Sequence, residues 1–318
     1  MEHKSLGRSG LQVSVVGLGC NNFGRRCDRE QTAAVVHKAL ELGVTFFDTA
    51  DIYGPRGLSE EYLGAALQGH RREAIIATKF VGPMGEGSLW GGASRRYIFE
   101  AVGASLRRLG TDYIDLYQIH FPDIRTPVEE TLRALDDLVR QGKVRYIGCS
   151  NFAGWQVVEA QWTARNQHLS PLVSAQNLYN LLDRRIEREL VPACNAYGLS
   201  VLPYFPLASG FLSGKYRSGQ ALPEGTRLAE AGPMAERVLT EENFGTLAKL
   251  EAFAESRGRS VLDLAIGWLA SQPYVACVIA GATKPEQVEQ NVRAAEWKLT
   301  SDELAEVDAI TRPDQSGR

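Results

Sequence analysis

Residues 112–152 read DYIDLYQIHFPDIRTPVEETLRALDDLVRQGKVRYIGCSNF. An apolar run at 113–118 is followed by one amphipathic segment and then by a second apolar run at 146–149. Thr126-Pro127-Val128-Glu129 has the form of a capping box with proline at the first helical position. Leu132, Leu135, Leu138 and Val139 then make one apolar stripe, and Gly142 stops the helix. Strand, helix and strand at this spacing predict a parallel pair with a helical crossover.

The same unit recurs along the chain. Apolar runs at 15–18, 45–48, 74–78, 173–177, 200–204 and 276–279 bring the expected strands to eight. Ile98, Ala101, Val102, Leu106 and Leu109 repeat at helical spacing before Gly110, and Thr300 to Glu303 opens a last helix with another capping box. Eight repeats argue for a sheet that closes, an α/β fold of the (β/α)8 TIM-barrel type in which residues 1–318 form a single domain. A doubly wound open sheet is the alternative, but no GxGxxG follows the first strand. Two short extended runs flanking the turn Ser5-Leu-Gly-Arg-Ser-Gly10 predict an N-terminal β-hairpin at the barrel's bottom. Two glycine-rich connections, 81–92 and 216–235, are long enough to expect functional loops on the C-terminal face.

Composition narrows the function. The 318 residues are 44% apolar and 23% charged, with a formal net charge of −3. No basic run stands out, which argues against nucleic acid or an anionic membrane as partner. No apolar stretch is long enough to span a bilayer, and MEHKSLGRSG has no secretory apolar core. Cys20, Cys27, Cys149, Cys194 and Cys277 are scattered and form no CxxC, which reads as reduced thiols in the cytoplasm. The five histidines form no HxH-type ligand pair, so a metal is not expected.

Barrel chemistry sits at the C-terminal ends of the strands. Residues 46–54, FFDTADIYG, end an apolar run on Asp48 and place Tyr53 in the loop. The other strands end in Thr78-Lys79, Ile119-His120, Ser150-Asn151, Gln176-Asn177 and Tyr204. Each residue alone has a plain role: Asp48 a turn cap, Lys79 a solvated cation, His120 a satisfied core ring, Tyr53 a packing ring. Their succession at strand ends favours a shared site. A free phenol has a pKa of about 10 and is a poor acid or base at neutral pH. A lysine cation beside Tyr53 would lower that value, a carboxylate would hold the lysine, and a histidine would orient a substrate oxygen. Such a set can protonate an alkoxide as it forms. No side chain supplies hydride, so a cofactor is implied. Phe23, Tyr53, Trp90, His120 and Phe121 are the expected substrate walls. A Schiff-base lyase using Lys79 would leave Tyr53 and the C-terminal block without a role.

Seven blocks together resemble the aldo-keto reductase superfamily across nearly the whole chain: FDTADIYG (47–54), TK (78–79), DYIDLYQIH (112–120), GKVRYIGCSNF (142–152), QNLYNLL (176–182), PLASGFLSGKY (206–216) and GATKPEQVEQN (281–291). They are similar to the branch that includes potassium-channel β subunits and bacterial aldehyde reductases. The resemblance implies a catalytic tetrad of Asp48, Tyr53, Lys79 and His120, with Tyr53 as general acid in reduction, Lys79 paired with Asp48 to lower the tyrosine pKa, and His120 orienting the carbonyl. It implies small carbonyl or alcohol substrates and leaves oligomerisation open. A regulatory subunit that keeps NADP(H) with little turnover is the alternative.

The resemblance also implies the cofactor, NADP(H). Thr283 and Lys284 would meet the 2′-phosphate at a helix start, which Thr283 to Glu286 marks by a capping-box pattern with Pro285 in the first turn. Arg227 would join them, with Gln287, Gln290 and Asn291 near the adenosine and Gly281 beside it. Tyr204 would stack on the nicotinamide, and Ser150, Asn151 and Gln176 would hold its carboxamide. Leu207, Ser209, Gly210, Leu212 and Lys215 would follow the pyrophosphate, and Gly19, Cys20 and Asp48 complete the set. Two cations near the 2′-phosphate favour NADPH over NADH.

Overall fold

The computed structural model describes residues 1–230 and 232–312, with backbone alone at 233 and 234. Eight parallel strands close into a barrel in the order β10-β3-β4-β5-β6-β7-β8-β9, closed by β10 pairing with both β3 and β9. They are β3 (Val16–Gly19), β4 (Phe46–Asp48), β5 (Ile75–Phe80), β6 (Ile114–Ile119), β7 (Val144–Ser150), β8 (Leu172–Leu178), β9 (Ser200–Tyr204) and β10 (Val278–Gly281). Ahead of them lies an antiparallel hairpin, β1 (His3–Ser5) and β2 (Gln12–Ser14). Helices α1 (Arg29–Glu41), α2 (Leu58–Ala66), α3 (Arg95–Leu109), α4 (Val128–Arg140), α5 (Gly154–Asn166) and α6 (Leu190–Tyr197) follow the first six barrel strands. Three helices, α7 (Pro233–Val238), α8 (Glu241–Glu255) and α9 (Val261–Ser271), separate β9 from β10, and α10 (Pro285–Ala294) and α11 (Ser301–Thr311) end the described chain. The (β/α)8 TIM barrel with its N-terminal hairpin is the expected fold.

The strand period of two sorts the core into two parts. Phe47, Ile76 and Tyr117 face outward into the layer between strands and helices. Phe46, Ala77, Leu116 and Leu202 face inward and meet Leu6 and Val13 of the hairpin segment. Two further bonds fasten the hairpin to the bottom of the barrel. Lys4 Nζ donates to Ala270 O at 2.7 Å, and Gly7 N donates to Ser200 Oγ at 2.7 Å. One step along the strands from the apolar layer, the inward positions become polar: Asp48, Lys79 and Gln118 are all buried. The barrel is therefore oily at its base and polar at its C-terminal end.

Helix ends follow the expected chemistry in part. Gly110 ends α3 at φ 64°, and Gly142 lies beyond α4 at φ 72°, backbone that favours glycine. Thr300 forms its capping box with Glu303. Thr126 does not form one. Pro127 is the N-cap of α4, and the Thr126 hydroxyl donates to Asp123 Oδ2 at 2.9 Å. Asp123 also accepts from the backbone N–H of Ala93 and Arg125, so it gathers the local donors into a turn. Thr283 likewise fails to cap Glu286: its N–H donates to Gln287 Oε1 at 2.7 Å, and Lys284 is the N-cap. The loop expected at 216–235 runs between Ser213 and Pro233, and its residue 231 lies outside the described residues.

Candidate active site

Lys79 on β5 is fully buried, and its Nζ donates to Asp48 Oδ2 at 2.7 Å and to Thr49 O at 2.8 Å. The register explains the pairing: Asp48 is opposite Ala77, and Lys79 lies two residues further on, facing the same interior. Asp48 Oδ1 accepts from Gln176 Nε2 at 2.7 Å and from Gln118 Nε2 at 3.2 Å. Every oxygen of the buried carboxylate is thus used, which is what makes a buried ion pair tolerable. Burial pushes the Lys79 pKa down, but the Asp48 carboxylate and the Tyr53 phenol outweigh it, and the net direction is up.

Tyr53 is half-buried in the turn after β4, where its N–H donates to Ala50 O at 3.1 Å and its carbonyl accepts from Ser59 N at 3.1 Å. Lys79 Nζ stands 4.9 Å from the centre of its ring. The Tyr53 pKa nevertheless lies above the ordinary phenol value. Burial raises it most, Lys79 pulls it down, and Asp48 pushes it up again. Lys79 therefore lowers the Tyr53 pKa as expected, but burial outweighs it and the net direction is up. His120 packs its ring edge-to-face with Tyr53, centroids 5.6 Å apart, and stacks on Phe121 at 4.2 Å. Burial and then the Lys79 cation hold its pKa down to about 2, so the imidazole is neutral.

The remaining strand ends converge here. Asn151 follows β7 with φ 61°, donates from Nδ2 to His120 O at 3.0 Å and to Ser150 Oγ at 3.1 Å, and accepts at Oδ1 from the Tyr204 hydroxyl at 2.8 Å. Tyr204 is thereby fixed from its hydroxyl end. Left-handed backbone in residues other than glycine clusters on this face, at Val81, Asn151, Phe205, Ala208 and Ser209. Strain of this kind persists where surrounding structure imposes it, commonly at working sites.

The residues fit a nicotinamide dinucleotide in several respects. Gln176 Nε2 donates to Asp48 Oδ1 at 2.7 Å and to Gln118 Oε1 at 3.5 Å, and no hydrogen bond among the described residues uses its Oε1. Ala208, Ser209 and Gly210 have successive positive φ of 45°, 60° and 92°, a tight turn in which the Ala208 and Gly210 N–H groups donate to Phe205 O at 2.9 Å and Leu207 O at 2.8 Å. The Lys215 ammonium lies close by, 3.5 Å from where a Gly210 Cβ would sit. Arg227 donates to Asn22 Oδ1 at 2.9 Å and Asn21 Oδ1 at 3.3 Å, so the long loop after β9 reaches over to the loop after β3. Arg26 pairs with Glu230 across the same junction. Gly281, Lys284, Gln287 and Gln290 are exposed at and beyond the start of α10, with Thr283 half-buried and Asn291 4% exposed.

Three expected residues sit differently. Phe23 is wholly enclosed in the core and offers no open wall to a ligand. The Cys20 and Leu212 side chains are also fully enclosed, so only their backbones can face a cofactor. Trp90 and Phe121 are exposed at 51% and 41%. One residue of the site went unnoticed in the sequence, Gln118. Its signal was the alternation Leu116, Gln118, His120 in DLYQIH, which points all three inward. All five cysteines are free and buried, and among the described residues no cluster could hold a metal ion. Among those residues, too, no helix is long and apolar enough to cross a membrane.

A family model described as Aldo/keto reductase family matches residues 15–312. The chain is 36% identical over 98% of its length to a protein of Oryza sativa subsp. japonica named probable voltage-gated potassium channel subunit beta, of which 97% is covered. It is 35% identical over 97% of its length to the L-glyceraldehyde 3-phosphate reductase of Escherichia coli K12, with 92% of that protein covered. It is 36% identical over 96% of its length to the versiconal hemiacetal acetate reductase of Aspergillus parasiticus, with 95% covered.

Proposed function

Because the chain belongs to the aldo/keto reductase family, we propose that it is an NADP(H)-dependent enzyme that reversibly reduces aldehyde and ketone carbonyls to alcohols, with Tyr53 as the proton donor. The observation that carries this reading is the buried Asp48–Lys79 pair set 4.9 Å from the Tyr53 ring, beside a neutral His120.

The bound nicotinamide supplies the hydride. The chain supplies the rest. Tyr53 gives its proton to the oxygen as the alkoxide forms, and Lys79 balances the charge left on the phenolate. Asp48 keeps Lys79 charged and in place inside the barrel. His120, neutral at any working pH, orients the substrate oxygen by hydrogen bonding without adding a charge that would compete with Lys79. Ser150, Asn151 and Gln176 hold the carboxamide, and Tyr204, anchored by Asn151, presents its ring to the nicotinamide. Ser209, Gly210 and Lys215 face the pyrophosphate. Arg227, Thr283 and Lys284 recognise the 2′-phosphate, which gives the preference for NADPH.

The test is NADPH oxidation, followed by absorbance, across aldehydes, ketones and sugar carbonyls, with Tyr53→Phe in parallel. Turnover that disappears in the variant supports the reading. Turnover that survives it removes Tyr53 as donor. A second reading, a subunit that holds NADP(H) for regulation, is favoured by the likeness to the rice protein named as a channel subunit. Tight NADPH binding without turnover of any carbonyl would favour it.

A further inference from the structure

Gln118 lies on β6 and is fully buried, with its side chain inside the barrel. Its Nε2 donates to Asp48 Oδ1 at 3.2 Å. Its Oε1 accepts from Gln176 Nε2 at 3.5 Å, while that same nitrogen donates to Asp48 Oδ1 at 2.7 Å. Two amides and one carboxylate oxygen therefore form a closed triangle. Only one orientation of each amide satisfies it. Turning either one over would set a carbonyl oxygen against the carboxylate.

The triangle has two outward consequences. It leaves Gln176 Oε1 without a protein donor among the described residues, open to a ligand. It also satisfies Asp48 Oδ1, so that Oδ2 is given over to Lys79. We propose that Gln118 is a positioning residue, one that fixes the Gln176 amide and the Asp48 carboxylate together and so ties the nicotinamide end of the cofactor site to the group that tunes Tyr53. The proposal rests on the NADP(H) reading above.

Gln118→Met keeps the size of the side chain and removes both of its hydrogen bonds. In the full chain, NADPH affinity by fluorescence titration is expected to fall about tenfold, the worth of roughly one hydrogen bond. Affinity for 2′,5′-ADP, which lacks the nicotinamide end, is expected to stay at the wild-type value. With a carbonyl that turns over, kcat falls while the carbonyl KM stays close to wild type.

Gln118→Glu is the second variant. Protonated, it can donate to Asp48 and accept from Gln176 as the glutamine does. Ionised, it sets a second carboxylate against Asp48, a placement that raises its own pKa. Its NADPH affinity should match wild type in mild acid and fall with rising pH, a limb that the wild type lacks. If Gln118→Met binds NADPH and 2′,5′-ADP as the wild type does, the proposal is overturned. Equal losses for both ligands would also overturn it, because they mark general damage. If the folded wild-type protein binds no NADPH, the cofactor reading falls and takes this one with it, an outcome distinct from the other two.

Discussion

Lys79 Nζ stands 2.7 Å from Asp48 Oδ2, with the lysine side chain entirely enclosed and the aspartate nearly so. Removing one partner of such a pair leaves the other charged and buried. Asp48→Ala should therefore cost about 3–5 kcal/mol of folding stability, measured by urea denaturation. Asp48→Ala combined with Lys79→Met should recover a large part of that loss, since no buried charge remains. A double variant less stable than Asp48→Ala alone would contradict this account of the pair.

Tyr53→Phe removes only a hydroxyl. The ring keeps its edge-to-face contact with His120 and its place near Lys79. Carbonyl reduction should drop by at least about 10²-fold, the lower range for a lost general acid, with NADPH affinity near wild type. The raised phenol pKa fixes the sign of the pH dependence. Reduction needs the phenol and should hold through neutral pH, failing only above about 10. Alcohol oxidation needs the phenolate and should rise with pH over the same interval.

His120 should contribute no limb to the pH–rate profile between about pH 5 and 8, where an ordinary histidine titrates, because its pKa is held down to about 2. The stability consequence has a definite sign. The unfolded chain takes up the proton near pH 6.5 and the folded chain does not. The contribution of His120 to stability is fully present above that pH and is lost as pH falls toward the folded value. His120→Gln should flatten this acid-side decline. Denaturant midpoints at several pH values would show it.

Much of this was legible in the chain because the relevant signals are local. Each strand run, each helix stripe and each polar strand end is encoded within a few residues, and Asp48, Tyr53, Lys79 and His120 lie at or just past the ends of their strands. What escaped depends on partners distant in sequence. Gln118 acquires its role from Asp48 and Gln176, which lie 70 and 58 residues from it in the chain. Phe23 reads as a pocket aromatic until the core closes around it. Thr126 has the right spacing for a cap, yet Asp123 takes its hydroxyl. The net direction of the Tyr53 pKa requires burial to be weighed against Lys79, and spacing carries no measure of burial.

Arg227→Ala together with Lys284→Ala should weaken NADPH by about tenfold or more while leaving NADH nearly unchanged, because charge-assisted bonds to the 2′-phosphate exist for one cofactor only. Arg227 is half-buried and already held by Asn21 and Asn22. Its guanidinium is therefore placed in advance, and Arg227→Lys should not restore affinity in full. Equal weakening of both cofactors would exclude a 2′-phosphate role.

Behind the site, Glu60 is fully buried, accepts from Arg108 Nε at 2.7 Å and takes the Thr78 hydroxyl at 2.5 Å. Asp51 is fully buried too, and among the described residues its oxygens have no donor beyond a weak approach by the backbone N–H of Ile52. Burial raises its pKa well above the usual carboxylate range, and the Glu60 charge adds to this, against smaller opposing pulls from Arg108, the Ile52 N–H and Lys79. A carboxyl with a raised folded pKa favours the fold at low pH, and that contribution is lost as pH climbs through the folded value. Asp51→Asn mimics the protonated form and has nothing to lose. Its stability relative to wild type should therefore rise between pH 5 and 8, measured by urea denaturation at both. Arg108→Leu should do the opposite, costing about 3–5 kcal/mol by stranding Glu60. An Asp51→Asn variant that loses ground to wild type as pH rises would show that Asp51 is ionised in the fold and held by a partner.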